Sequence, residues 1–107
     1  MSDNLSRATS PFFTNEEMVS ILDLDADYLT DEGHQKKLEN LSLSASDFLY
    51  ARTGHDWAND GIKDPTASDC ASLWIKMRFY ADTNYSKEYD FSLGIQADLN
   101  DLIGKAS

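Results

Sequence analysis

The chain has 107 residues, of which 41% are hydrophobic and 11% aromatic, so it has the length of one domain and is too apolar for a disordered polypeptide. Its 19 acidic residues against 9 basic ones give a net charge of −10, the wrong sign for binding DNA phosphates or an anionic membrane surface. The single cysteine, Cys70, excludes an internal disulfide, and apolar runs long enough to cross a bilayer are absent. We expect an acidic, intracellular, soluble protein without a secretory signal in residues 1–10.

A short helix is predicted to open the folded part of the chain. The sequence from Thr14 to Glu17 has the pattern of a capping box, in which the threonine hydroxyl accepts a backbone N–H and the glutamate reaches back. The apolar residues that follow recur at helical spacing, and they are Met18, Ile21 and Leu22. We expect this helix to end near Asp23.

A longer second helix is predicted to begin at Asp31, after an aspartate-rich connector at residues 24–30. Its stripe of inward-facing positions consists of Leu38, Leu41, Ala45, Phe48, Leu49 and Arg52. Gly54 is expected to end it, because glycine readily adopts the left-handed conformation of a helix C-terminus. Residues 55–63 carry turn residues and are expected to form a loop.

The third helix is predicted to start at Asp64-Pro65, an N-cap followed by a proline in the first turn. It is apolar over most of its circumference, which is typical of a central helix, so we expect Trp74 and Met77 to be largely buried. A last helix is expected from about Ser92 to Ile103, with Gly104 as its terminator.

These elements predict an all-α domain with two long central helices flanked by shorter N- and C-terminal helices. The predicted organisation is a flexible N-terminal arm at residues 1–13, a helical domain at residues 14–104 and a tail at residues 105–107.

The aspartate-rich stretch that begins at Asp23 starts like a calcium-binding loop. In such a loop Tyr28 would have to be the glycine of the sharp turn, and His34 would have to be the bidentate glutamate. We therefore interpret the stretch as a solvated connector. Two histidines and one cysteine are also too few ligands for a structural zinc site.

A nucleophilic site would need Cys70 together with His34 or His55. Cys70 lies on the apolar stripe of the third helix, where a buried thiol is the usual case, and His55 follows a helix-ending glycine. We predict no enzyme activity, no cofactor and no metal site.

One cluster combines basic and aromatic side chains, and its members are Trp74, Lys76, Arg78, Phe79 and Tyr80. It predicts either a nucleic-acid or cation–π contact or, as we favour, cations that snorkel from a buried helix.

Several aromatic and apolar residues are candidates for an interface with a partner. Trp57 lies in a polar loop and either folds back over the core or anchors a partner. The segment from Tyr85 to Ile103 joins a polar loop to a terminal amphipathic helix, and its candidate anchors are Tyr85, Tyr89, Phe91, Ile95 and Leu99. The alternative is that this helix covers its own core through Ile95, Leu99, Leu102 and Ile103.

The order of these features resembles the head–tail connector (adaptor) family of siphophages. The similarity lies in the opening segment Thr14 to Glu17, the hinge Leu24 to Asp27 and the close of the second helix at Tyr50 to Gly54. It continues in the third-helix start at Asp64-Pro65 and in Leu93 to Ile95. It covers nearly the whole chain outside the predicted arm.

The resemblance implies a structural virion protein rather than an enzyme. Such subunits join head to tail into a closed ring of about a dozen copies. The ring would sit at the head–tail junction beneath the phage portal protein, receive the next tail-completion protein and extend the channel through which DNA passes non-specifically. The protein would be made in the bacterial host cytoplasm and would not involve a membrane.

A rival hypothesis uses the same net charge of −10 as a recognition feature. In that case the chain is a small acidic regulatory protein, such as a DNA mimic, that binds a basic partner. A ring-sized oligomer that binds a portal favours the connector, whereas a monomer or dimer held tightly by a basic protein favours the rival.

Overall fold

Four α-helices and two short 3-10 helices make up the fold of the residues that the computed structural model describes, which are 10–81 and 88–106. The α-helices are α1 (Asn15–Leu22), α2 (Glu32–Thr53), α3 (Pro65–Phe79) and α4 (Glu88–Ala106). The 3-10 helices span Ala26–Thr30 and Trp57–Asn59. The prediction of an all-α domain is confirmed. Within the described part of the chain, no helix has both the length and the apolar character needed to span a bilayer.

The predicted N-terminal boundaries of the first three helices are confirmed, because each is set by a local cap. The Glu17 N–H donates to Thr14 Oγ1 over 3.1 Å while the Thr14 N–H donates to Glu17 Oε1 over 2.8 Å, which completes the capping box. Asp31 and Asp64 accept backbone N–H groups at the starts of α2 and α3. Gly54 ends α2 in the left-handed conformation, with a φ of 81°.

The core forms around α3, which packs against α1, α2 and α4. The buried residues of α3 are Ala67, Cys70, Ala71, Trp74 and Ile75. Trp74 is 9% exposed, as predicted, whereas Met77 is only half-buried. The small residues Ala67, Cys70 and Ala71 permit close approach of the neighbouring helices, so α3 is the central helix that the sequence predicted.

The N-terminal segment enters the domain earlier than the predicted limit at residue 14. Phe12 is 0% exposed and belongs to the core. Its N–H donates to the Ser42 carbonyl oxygen over 3.3 Å, and the Phe13 N–H donates to Ser42 Oγ over 2.7 Å. This buried serine of α2 thus ties residues 12–13 to the helix. Residues 1–9 of the predicted arm lie outside the described residues.

The last helix is longer than predicted, so the described residues form three long helices rather than two. α4 has 19 residues against 15 in α3, and it continues through Gly104 instead of stopping there. Lys105 in its last turn forms ion pairs with Asp64 at 3.0 Å and Asp101 at 3.1 Å. A cation in the last turn also complements the helix dipole, and these contacts favour helix beyond the glycine.

Replacing Gly104 by alanine tests this placement. A Cβ atom at Gly104 meets no atom within 4 Å, so Gly104→Ala should raise the free energy of unfolding by up to about 1 kcal/mol through helix propensity. The measurement is equilibrium urea unfolding followed by circular dichroism.

The matched control is Gly54→Ala, which also meets open space but has a φ of +81°. That change should lower the free energy of unfolding by about 1–2 kcal/mol, because alanine is strained in the left-handed region. If Gly104→Ala destabilised the chain to the same extent, Gly104 would be a helix terminator and the observed length of α4 would be wrong.

Candidate functional site

An open groove of about 310 Å³ lies between α2 and the end of α3. Its lining residues are Lys37, Asn40, Leu41 and Ser44 from α2, and Arg78 and Phe79 from α3. The volume is at the small end of the range found for binding pockets. The groove is therefore suited to a single side chain or a small molecule.

The groove forms because α2 and α3 pack side by side and each contributes one face at this point. Residues 37, 40, 41 and 44 follow the spacing of one helical face. Leu41 and Phe79 are half-buried and pack against the core, so they form an apolar floor. Lys37 and Arg78 are exposed and give the groove a positively charged rim.

Aromatic rings hold the cations of this face in place. The Lys37 Nζ atom lies 5.1 Å from the centre of the Phe79 ring. The Arg78 guanidinium lies 5.3 Å from the Trp74 ring centre, which leaves the charge at the surface and the indole buried. The contact is a cation–π interaction within the chain, made by a snorkelling arginine.

The ring contacts extend across to α2 as a layered stack. The Phe48 and Trp74 rings are stacked with centres 5.3 Å apart and an interplanar angle of 23°. The Arg52 guanidinium covers the outer face of Phe48 at 4.9 Å. Arginines thus lie at both ends of an aromatic pair that bridges the two helices.

The sequence predicts the α3 half of this site but not the α2 half. Trp74, Arg78 and Phe79 belong to the predicted basic–aromatic cluster. Lys37 and Phe48 lie far away in sequence, and only the pairing of α2 with α3 brings them to the same surface. Phe48 was assigned to the apolar face of α2, and no signal in the sequence linked it to Trp74.

Trp57 folds back over the core, which is the first of the two alternatives predicted for it. It is 6% exposed, and its Nε1–H donates to Thr53 Oγ1 over 2.8 Å. Its ring also packs edge-on against the His55 ring at 4.4 Å between centres. Satisfying the indole N–H inside the chain favours this inward orientation.

The predicted anchors in the last helix are divided between the core and the surface. Ile95 and Leu99 are buried with Leu102 in the chain's own core, as the alternative predicts, whereas Ile103, which that alternative also includes, is 45% exposed. Phe91 is half-buried. Tyr85 lies outside the described residues, and Tyr89 lies in α4 but its side chain is outside them.

The connector between α1 and α2 is fixed by its own contacts. The His34 ring stacks on Tyr28 at 4.0 Å between centres, and His34 Nδ1 lies 3.1 Å from the Tyr28 carbonyl oxygen. Asp31 is occupied as the N-cap of α2. Among the described residues, no group of three or more histidine, cysteine, aspartate or glutamate side chains is placed to hold a metal ion.

Two titratable groups lie where α3 meets α4. Burial, with the charges of Asp98 and Asp69, raises the pKa of the Cys70 thiol to about 12. Burial also raises the pKa of Asp98 to about 7, together with its hydrogen bond to Asp69 and the charges of Asp69 and Asp101. The Asp98 Oδ2 atom is buried without a hydrogen-bond partner, which agrees with a carboxyl group that resists ionisation.

Comparison with known proteins finds no matching protein family, curated protein or solved structure. The function of the candidate site must therefore be inferred from its geometry. The groove has a cationic rim, an apolar floor and cations that contact aromatic rings, on a chain that is otherwise strongly acidic. This combination suits the binding of an apolar side chain with negative charge around it.

Substituting Asp98 tests the acid pair at the α3–α4 contact. The folded-state pKa of about 7 lies above the ordinary value of 3.8. The stability that this group contributes is therefore fully present below pH 3.8 and is lost as the pH rises through about 7. Asp98→Asn should raise the melting temperature more at about pH 8 than at about pH 5, as measured by calorimetry.

The matched control is Asp27→Asn, the same chemical change on an exposed side chain of the connector. It reports the general effect of removing one charge from an acidic chain. An equal shift for Asp98→Asn and Asp27→Asn at both pH values would show that Asp98 is an ordinary surface carboxylate.

Proposed function

We propose that this chain is a structural assembly subunit of a phage virion, and that it forms a ring joining the portal of the DNA-filled head to the tail. The observation that carries the proposal is the groove between α2 and α3. Its lining residues offer charge and apolar surface for binding, and they contain no cysteine, histidine or carboxylate. The proposal also draws on the sequence resemblance to head–tail connectors.

The charge distribution supports this role. The net charge is −10, and Asp23, Asp25 and Asp27, which lie between α1 and α2, are exposed. Carboxylates that line a channel repel the DNA backbone and let it pass without sticking. The positive rim of the groove provides the opposite sign on the same molecule, which favours contact between copies.

The rival proposal is an acidic regulatory protein that binds a basic partner. It is favoured by the same net charge of −10. The two proposals differ in what the chain forms: a connector assembles in many copies on a portal, whereas a DNA mimic binds a basic protein as a monomer or dimer.

The test is native mass measurement of the purified chain, first alone and then mixed with portal particles of its own phage. The connector proposal predicts that the portal particles gain the mass of many copies, on the order of a dozen. A chain that leaves the portal mass unchanged would contradict it. If that chain instead binds a basic DNA-binding protein in competition with DNA, the rival proposal is supported.

A matched pair of charge reversals asks whether assembly uses the groove. Lys36 and Lys37 are adjacent and both exposed, but only Lys37 lines the groove. Lys37→Glu should weaken assembly by about tenfold through loss of a rim charge. Lys36→Glu makes the same change in net charge and should have little effect. Equal effects of the two variants would mean that only overall charge matters.

A further inference from the structure

Ile62 is the most exposed large hydrophobic residue in the described part of the chain. It is 92% exposed, compared with 54% for Leu93 and 45% for Ile103. Removing such an aliphatic side chain from water favours association through the hydrophobic effect. Ile62 therefore carries apolar surface that a partner can cover.

The loop that carries Ile62 is anchored on both sides. Before it, the Asp60 carboxylate oxygens lie 2.9 and 3.0 Å from His55 Nε2. After it, Asp64 Oδ1 caps α3 by accepting the Thr66 N–H over 2.8 Å, and Asp64 Oδ2 pairs with Lys105 at 3.0 Å. Because the loop is already held, a partner that binds Ile62 has less conformational entropy to remove.

Ile62 and the groove lie at opposite ends of the same helical hairpin. Lys37 contacts Phe79 and Phe48 contacts Trp74, so α2 and α3 run antiparallel. The loop with Ile62 joins the end of α2 to the start of α3, while the groove lies at the other end. A helix of 15 residues separates them by about 20 Å, so a chain cannot fill its own groove with its own Ile62.

We propose that Ile62 of one copy inserts into the groove between α2 and α3 of the next copy. This inference rests on the proposed function, because it names the contact through which the subunits join. The floor of Leu41 and Phe79 matches an aliphatic side chain. The occupant is therefore a second copy of this chain.

The charges at the two ends of the hairpin also support a contact between the Ile62 loop of one copy and the groove of another. The stretch that carries Ile62 holds Asp56, Asp60 and Asp64 against Lys63, and it remains net negative when Lys105, the partner of Asp64, is included. The rim of the groove is positive, through Lys37 and Arg78. Ile62 lies at one end of the hairpin and the complementary groove at the other, so the contact between copies is heterologous. Such a contact produces a ring when the rotation between copies closes.

The first experiment compares Ile62→Ser with Leu93→Ser by sedimentation of the full chain at increasing concentration. Both changes remove an exposed aliphatic side chain, but only Ile62 lies at the proposed contact. Ile62→Ser should weaken self-association by more than about tenfold without changing the melting temperature, and Leu93→Ser should leave it unchanged. An unchanged association for Ile62→Ser, or an equal loss for Leu93→Ser, would overturn the inference.

The second experiment tests the contact directly by cross-linking. Ile62→Cys combined with Ser44→Cys places one thiol on the loop and one in the groove, and mild oxidation should give a covalent ladder of several copies. Each single variant should give dimers at most. The control pairs Ile62→Cys with Glu39→Cys, which is exposed on α2 outside the groove lining. Cys70 is fully buried and does not compete.

Failure of the inference and failure of the proposed function give different results. Both experiments are carried out on the assembly that forms, whether the chain assembles by itself or only on portal particles. An assembly that forms but gives no ladder, and that tolerates Ile62→Ser, overturns this contact and leaves the ring proposal intact. A chain that remains monomeric both alone and with the portal overturns both.

Discussion

The stacked rings of Phe48 and Trp74 join α2 to the central helix α3 beside the candidate site. Phe48 belongs to α2 and Trp74 to α3, and their centres are 5.3 Å apart. On the inner side, Trp74 continues the buried stripe of α3, against which α4 packs. On the outer side, Arg52 and Arg78 cover the two rings. One aromatic pair therefore joins the core to the charged surface, four residues along each helix from the groove-lining Ser44 and Arg78.

The chain is strongly negative overall but has a groove with a positive rim, and this contrast makes the two ends of the α2–α3 hairpin different. The exposed isoleucine and its acidic flanks lie at one end of the α2–α3 hairpin, and the groove with Lys37 and Arg78 lies at the other. A subunit with different, complementary ends suits head-to-tail association better than two-fold pairing, because two-fold pairing places the same patch on both sides. This asymmetry is the physical link between the fold and the proposed assembly role.

Features of the fold that depend on neighbours in the sequence could be predicted. The caps at Thr14, Asp31 and Asp64 form between residues that lie two or three positions apart, so their patterns located the helix starts. Burial of Trp74 followed from the apolar circumference of α3. Gly104 does not end α4 because, unlike Gly54, it does not adopt the left-handed conformation common at a helix C-terminus.

Features that depend on distant pairings could not be predicted. Phe12 is buried through contacts with Ser42, and the groove forms only when Lys37 meets Phe79. For Trp57 the sequence left two orientations open, and the choice depends on the path of the loop after α2, which brings the indole N–H to Thr53 Oγ1 four residues away. Ile62, in contrast, is almost fully exposed among the described residues. The sequence alone gives no reason to single it out.

A double-mutant cycle measures how strongly the Phe48–Trp74 stack couples α2 to α3. Phe48→Leu, Trp74→Leu and the double variant would be compared with the unaltered chain by equilibrium urea unfolding. We expect a coupling free energy of about 0.5–1.5 kcal/mol, so that the double variant loses less stability than the sum of the single losses. Strictly additive losses would contradict it, because they would mean that the two rings stabilise the chain independently.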